Sequence, residues 1–523
     1  MHWADKIVED IESRLKDKIE AGPLTIRDEK TASGSVHVGA MRGVALHGIL
    51  SNILKEHGIE NTFLYEINDF DAFDTVPKGV PEDFKEHLGK PLFAVPNPIG
   101  KEGNYAEHFG TEFARVIEAT GFTPEFYSSS EEYLAGKYNE VIRTALDNWE
   151  KIGEINKEVS GSERTLTQLP IMMICEQCGK VATTRGISFD GKEVTYACDQ
   201  EASGAMGCGY EGKNSPFDGK AKLTWKVEWA AKFKVFTVDI EGEGKDLATK
   251  GGARDVANHI SREVFKYEPP YDQPYEFLLV GGKKMSSSKG NAATAVSVAE
   301  ILPTKIFRTM LLGRDIKRAI NFDPTGDTIP LLFDQYDTVA DKYWNGVGDD
   351  DARLFELVHE GDVPKKMYLH RFSQVAYLVQ MPHIDIEKEA EKAVGTELSK
   401  EEREELQMRA EYAKLWLKEY APEDFKFELQ VEAVPEGAKD FPPEVKELLQ
   451  KVVRYIVQNQ EVSGQELHTA LHDIRRGSEV EPADFFKAVY LALLGKESGP
   501  KAGWFLSVLP RDFLIKRLTE VSN

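Results

Sequence analysis

One pattern in the first seventy residues constrains the fold more than any other. Leu24-Thr25-Ile26-Arg27 reads as a short strand, and a loop of small residues from Thr31 to Gly39 follows at once. The spacing Leu46, Ile49, Leu50, Ile53, Leu54 is then helical, closed by His57-Gly58, and Thr62-Phe63-Leu64-Tyr65-Glu66-Ile67 returns as a second strand. Strand, turn, helix and strand in this order make a parallel βαβ unit. Ligands of open parallel sheets bind beyond the carboxyl ends of the strands, where a helix N-terminus offers free N–H groups.

At 523 residues the chain is too long for one ordinary core, and two to four domains are expected. Hydrophobic residues at 41% and aromatics at 10% are globular values, so most of the chain should fold. The formal charge of −23 repels nucleic acid at long range and argues against a non-specific nucleic-acid binder. Local basic spots remain, at Lys365-Lys366 with Arg371, at Arg475-Arg476, and at Arg511 with Lys516-Arg517; each reads equally as solvated surface or as a face for phosphates. Glu9, Asp10 and Glu12 fall where a signal peptide would need an apolar core, and no apolar run reaches spanning length, so a cytoplasmic protein is expected.

Residues 5–20 are patterned as an amphipathic helix, 70–110 look like a Pro- and Gly-rich insertion, and 111–165 are again helical. Val235-Phe236-Thr237-Val238 and Phe277-Leu278-Leu279-Val280 read as strands, the second ending in a loop of lysine and serine. Beyond about 330 the texture is helical: Ser399 with Glu402 forms a capping box, Leu406, Ala410, Ala413 and Leu417 mark one face, and Pro422 stops the helix. Phe425 to Val431 alternates like a strand or extended segment.

Two stretches carry nucleotide chemistry. In Thr31-Ala32-Ser33-Gly34-Ser35-Val36-His37-Val38-Gly39, the glycines Gly34 and Gly39 admit a nucleotide without a Cβ clash, and the imidazole of His37 can bond phosphate oxygens. In Lys284-Met285-Ser286-Ser287-Ser288-Lys289-Gly290, the two lysines can set cations against a pyrophosphate as charge builds on it. The pair implies attack of a carboxylate on the α-phosphate of ATP, with pyrophosphate leaving. No Walker-type phosphate loop is present. Cys175, Cys178, Cys198 and Cys208 supply four thiolates, the number a structural zinc takes, although nine residues separate the last two and unliganded buried thiols are the alternative. Trp225-Lys226-Val227-Glu228-Trp229 combines indoles with a carboxylate, as a pocket for a cationic side chain would, and also reads as a plain packing segment.

These motifs, with His2-Trp3-Ala4-Asp5-Lys6, Tyr105-Ala106-Glu107-His108, Gly244-Lys245-Asp246 and the segment Phe485 to Gly503, resemble class I lysyl-tRNA synthetases in type and order over almost the whole chain. The resemblance implies an α/β fold: a Rossmann-type catalytic domain over 1–167 and 222–330, a zinc ribbon inserted at 168–221, and an all-α anticodon-binding domain over 331–523. It implies ligation of L-lysine to tRNA(Lys) through a lysyl adenylate, with ATP as substrate, Mg2+, a structural Zn2+, and transfer to the 2′-hydroxyl of the terminal adenosine by a protein that acts as a monomer. Ser33, Gly34, His37 and Gly39 would form the first ATP signature and Lys284 to Ser288 the second, with His37, Lys284 and Lys289 catalytic. Trp225, Glu228, Asp246 and Tyr275 would bind lysine. Ala32, Ala40 and Leu247 depart from the family's usual Pro, Asn and His, and Pro96 to His108 lack the ligands for the second metal some members hold there. Glutamate or arginine specificity, or a tRNA-binding relative without catalysis, are the alternatives.

Overall fold

The structure, a computed structural model, describes residues 1–162, 167–202, 204–281, 293–381, 384–459 and 462–523. It divides into two compact units, one of Met1–Asp323 with Thr338–Pro364 and one of Pro324–Asp337 with Lys365–Asn523.

The first unit is built on a parallel sheet. Strand β1, Leu24–Thr31, pairs in parallel with β2, Asn61–Asn68, from Leu24 opposite Asn61 to Thr31 opposite Asn68, and β2 pairs in parallel with β3, Glu125–Ser128. On the other side of β1, bridges from Ile26 to Ile240 and from Ile240 to Tyr271 carry the same direction onward, as does Gly244 to Tyr275. Leu278–Val280 pairs in parallel with Ile320–Phe322. The helix Met41–Glu56 is the crossover from β1 to β2, and its buried residues Val44, Leu46, Ile49, Leu50, Ile53 and Leu54 cover one face of the sheet. Because side chains alternate along a strand, Asp28 faces Gly43 of that helix while Arg27 and Glu29 face the helix Trp225–Val235 on the opposite side.

Three expectations are corrected. The amphipathic pattern at 5–20 is two helices, Trp3–Arg14 and Lys16–Ala21, broken at Leu15. Within 111–165 the helices are interrupted by β3. Val235-Phe236-Thr237-Val238 is not a strand: the buried run Val227, Trp229, Ala230, Ala231 and Phe233 keeps the chain helical to Val235, and Thr237 turns it at φ +47° before it enters the sheet. A β-rich composition had hidden a helix buried on most of its surface.

The cysteine segment is an antiparallel module within the first unit, its buried Met173, Val194 and Tyr196 continuous with the core that holds Phe70 and Tyr133. Ile171–Met173 and Ala221–Leu223 pair antiparallel at its root, Ile171 opposite Leu223, and Arg185–Phe189, Val194–Ala197 and Glu211–Asn214 form a three-stranded sheet beyond it. The second unit is helical, including Lys400–Glu419, Pro443–Gln458, Gly464–Arg476, Pro482–Leu494, Ala502–Val508 and Arg511–Ser522. Ser399 and Glu402 make the expected capping box. Val445, Leu448, Leu449, Val452 and Ile456 form one buried stripe of Pro443–Gln458, packed with Phe485, Val489, Leu493 and Phe505. Phe425 closes a short 3-10 turn, Glu423–Phe425, and the chain from Lys426 to Val431 is extended without a strand partner among the described residues, tied by the Gln430 N–H to the Leu493 carbonyl at 2.8 Å.

Candidate active site

The carboxyl end of β1 leads directly into the small-residue turn. Gly34 has φ +153°, and a Cβ there would stand 3.1 Å from Pro77 Cγ, so the position accepts glycine and little else. Tyr105, at the start of the helix Tyr105–Ala119, donates its hydroxyl to the Ser33 carbonyl at 3.2 Å and holds the turn from above. A short 3-10 turn, Val38–Ala40, then feeds the helix Met41–Glu56. His37 is half-buried at this strand-to-helix junction.

The lysine-serine loop, Lys284 to Gly290 with Met285, Ser286, Ser287, Ser288 and Lys289, lies outside the described residues. Its flanks do not. Thr294 forms an antiparallel bridge with His37, the Val38 N–H donates to the Ala293 carbonyl at 3.0 Å, and the Ala295 N–H donates to the Val36 carbonyl at 2.8 Å. On the other side, Leu278–Val280 lies in the same unit. The chain that leaves the loop is thus stitched to the turn that carries the imidazole.

The residues expected to hold an amino acid are dispersed in environment. Trp225 is 50% exposed and stacked on Trp229, with centroids 6.1 Å apart and planes 16° apart. Asp246 is exposed, and Tyr275 is half-buried on the neighbouring segment bridged through Gly244. Burial, with the Asp28 carboxylate, pushes the Tyr275 phenol well above its ordinary pKa. Glu228 is buried; it accepts from the Tyr133 hydroxyl at 2.8 Å and is ion-paired to Lys222 and to Lys232.

Glu228 belongs to a larger network that sequence reasoning missed. Arg27 donates to Glu241 and to Glu66, each at 2.6 Å, and to the Tyr127 hydroxyl at 2.8 Å. Lys232 Nζ lies 2.6 Å from Glu29 and 2.8 Å from Glu66. Trp229 Nε1 donates to Glu241 at 2.5 Å, and Arg254 reaches Glu243 at 3.1 Å. Burial alone would depress the Lys232 pKa; Glu228, Glu29 and Glu66 override it and raise it well above normal. Burial alone would raise the Glu29 pKa, and Lys232 with Arg27 instead hold it far below the usual carboxylate range. In β1 Arg27, Asp28, Glu29 and Lys30 are consecutive, so the sequence does not tell which of these charges turn inward; only Glu66, between Tyr65 and Ile67, stands out in its strand.

The four cysteine sulfurs all lie within 4.8 Å of one another, with Cys175 to Cys208 at 3.6 Å and Cys178 to Cys198 at 3.8 Å, and none is in a disulfide. A tetrahedron of thiolates about 2.3 Å from a central ion has edges of roughly 3.8 Å. The donor set therefore fits a four-coordinate metal. Gly179, at φ +71°, makes the tight turn after the first pair, and its N–H donates to the Cys175 carbonyl at 2.8 Å. Burial pushes the Cys178 thiol up to about 12, the opposite of what a bound cation would do.

A family profile described as "tRNA synthetases class I (K)" matches residues 1–361, and one described as "Anticodon binding domain" matches 375–522. The chain belongs to the class I tRNA synthetases of the K type. A lysine–tRNA ligase of Methanosarcina barkeri (strain Fusaro) is 33% identical across 100% of this chain and 98% of its own length. Lysine–tRNA ligases of Archaeoglobus fulgidus and Pyrococcus horikoshii are 31% and 33% identical, each over 99% of both chains. A solved glutamate tRNA ligase from Elizabethkingia meningosepticum aligns with 95% of this synthetase and 99% of its own chain at 13% identity, with a TM-score of 0.44. In the synthetase the parallel sheet is the Rossmann-like catalytic scaffold and the second unit holds the helical C-terminal domain. No helix of the described residues is long and apolar enough to cross a membrane.

Proposed function

We propose that this chain activates L-lysine with ATP and transfers it to tRNA(Lys). The observation that carries the reading is the bridge from His37 to Thr294, which ties the flank of the lysine-serine loop to the turn of the first signature. In the first step a carboxylate oxygen of lysine attacks the α-phosphorus of ATP, the bond to the bridging oxygen breaks, and pyrophosphate leaves. In the second, the terminal adenosine 2′-hydroxyl attacks the acyl carbon, its proton is released, and AMP leaves. Ser33, Gly34 and Gly39 bring backbone close to the nucleotide, His37 bonds its phosphates, and Lys284 and Lys289 meet the charge that develops on pyrophosphate, with Met285 and Ser286 to Ser288 completing the loop. Mg2+ carried with ATP neutralises phosphate charge.

Trp225, Asp246 and Tyr275 line the lysine side, and Glu228, already paired to Lys222 and Lys232, acts by holding Trp225 and its helix in place. Cys175, Cys178, Cys198 and Cys208 hold a structural zinc, since four protein ligands leave no open position. The functional division runs as catalytic halves 1–167 and 222–330, ribbon 168–221, and anticodon region 331–523, in a cytoplasmic monomer.

The test is pyrophosphate exchange into ATP over the twenty amino acids, with tRNA present. Lysine alone should support exchange, and His37→Ala should lower its rate by about a hundredfold. Exchange with glutamate or arginine and none with lysine would move the chain to a neighbouring specificity. Tight tRNA binding with no exchange, and no effect of His37→Ala or Lys284→Ala, would make it a binding relative. Metal analysis should return one zinc per chain.

A further inference from the structure

The small-residue turn is held by Tyr105 at the Ser33 carbonyl, by Pro77 packed against Gly34, and by Asp71 at its entrance. Thr31, the last residue of β1, donates its hydroxyl to Asp71 Oδ2 at 2.6 Å. The other oxygen of that carboxylate is engaged as well: Lys222 Nζ lies 3.3 Å from Asp71 Oδ1. The backbone of Asp71 is fixed too, its N–H donating to Asn68 Oδ1 at 3.3 Å and its carbonyl accepting from the Leu92 N–H at 2.9 Å. Asn68 in turn accepts the Ala32 N–H at 3.3 Å, so the turn leaves β1 braced on the end of β2.

Lys222 comes from far along the chain. It lies opposite Met172 in Ala221–Leu223, the strand that closes the cysteine module, and its side chain is 2% exposed. The same ammonium pairs with Glu228 on the helix Trp225–Val235. Burial alone would lower the Lys222 pKa, and Glu228 with Asp71 instead raises it, so the group stays charged where water cannot reach it. Glu228 has other donors in the Tyr133 hydroxyl and Lys232. Asp71 is 34% exposed, so water could solvate it in place of Lys222. What the lysine adds at Asp71 is therefore direction: a carboxylate engaged at both oxygens cannot rotate without giving up one partner.

We propose that Lys222 and Asp71 are positioning residues for ATP: through Thr31 they hold the backbone of Ser33 and Gly34 where it meets the nucleotide, and they join that turn to the helix that carries Trp225. Neither side chain is assigned a contact with ATP. A turn aimed in this way serves the bound nucleotide and the transition state alike, so its loss falls on the KM for ATP and not on kcat. The inference rests on Thr31 to Gly39 being the nucleotide turn, and it deepens that reading by naming what aims the turn. The root of the cysteine module thereby becomes part of the nucleotide site, although its own strand is 191 residues beyond Thr31 at Lys222.

The experiment measures pyrophosphate exchange by the full chain, with tRNA present and ATP varied. Asp71→Asn keeps an oxygen for Thr31 and removes the charge that Lys222 meets; Thr31→Val keeps the shape and removes the hydroxyl. Each should raise the KM for ATP about tenfold, with kcat and the KM for the amino acid within about threefold of wild type. Thr31→Ser should restore the KM, and Thr31→Val combined with Asp71→Asn should still cost only about tenfold, because both cut one chain of contacts. Lys222 itself is left in place, since its loss would also strip Glu228. A wild-type KM for ATP in Asp71→Asn would overturn the proposal, as would a double variant near a hundredfold, or a fall in kcat with KM unchanged. If another amino acid drives exchange and the KM pattern holds, the lysine reading fails and the positioning role stands; if lysine drives exchange and the pattern is absent, the reverse follows.

Discussion

Across the parallel sheet, the interior holds Arg27, Glu66, Lys222, Glu228, Lys232, Glu241 and Arg254, all nearly inaccessible to water; in the helical unit the equivalent interior is Leu448, Leu449, Val452, Phe485, Val489, Leu493 and Phe505. The second arrangement follows from area: each apolar side chain removed from water stabilises by roughly 1.5–3 kcal/mol, and several packings of similar volume would serve. The first cannot be explained that way. Desolvating so many ions is costly, and apolar residues of the same volume would often be as stable. What the ions provide is direction, because each carboxylate accepts from named donors at fixed geometry and so fixes the helix Trp225–Val235, with Trp225 and Trp229, against the strand ends.

The largest effect that could break this contrast is Lys232→Met. It leaves the buried Glu66 and Glu228 and the half-buried Glu29 without the cation they share, and should destabilise the first unit by about 3–5 kcal/mol, read as faster hydrogen exchange in β1 and β2. A change under 1 kcal/mol would mean the network is solvated and not a positional device. Next, Leu449→Ala should cost about 2–5 kcal/mol in the helical unit, whereas Leu449→Met should cost under about 1.5 kcal/mol, since only volume and polarity matter there. Ser399→Ala, which removes one half of a capping box, should lower stability by about 1 kcal/mol, visible as fraying of Lys400–Glu419.

The smallest effect concerns His2. Its Nδ1 accepts from the Ala4 N–H at 3.3 Å and its Nε2 donates to the Leu312 carbonyl at 3.1 Å, so the fold holds the neutral ring, and burial lowers its pKa below 6.5. Below pH 6.5 the unfolded chain binds the proton more readily than the folded one, so this contribution is present above 6.5 and lost as pH falls through the folded pKa. His2→Asn, which still caps the helix, should narrow the gap between melting temperatures at pH 7.5 and pH 5.5.

How much of this was legible in the sequence depends on whether a feature is local. The βαβ unit, the capping box at Ser399 and the cysteine quartet were all visible, because each is set by neighbours in the chain or by a residue type with few other uses. The buried ions were not, since a charged residue in a strand reads as surface until its partner from another element is known; Glu29 and Lys232 are 203 residues apart. The same non-locality misled the reading of Val235 to Val238, where tertiary burial kept the chain helical to Val235 and a turn at Thr237 followed, against β-rich composition. The bridge from His37 to Thr294 spans most of the catalytic unit, and only the pairing of two motifs in order hinted at it.

The root of the cysteine module has a consequence for how this architecture tolerates change. Because Ile171–Met173 and Ala221–Leu223 lie side by side, the polypeptide exits and re-enters at one doorway, and the entropy of closing that excursion is met by the module's own ladder and not by the sheet. The exposed turns of the excursion can therefore lengthen while the strands that frame the small-residue turn keep their register, and those turns, more than the inner Val194 and Tyr196 that run into the first unit's core, are where a foreign domain would graft.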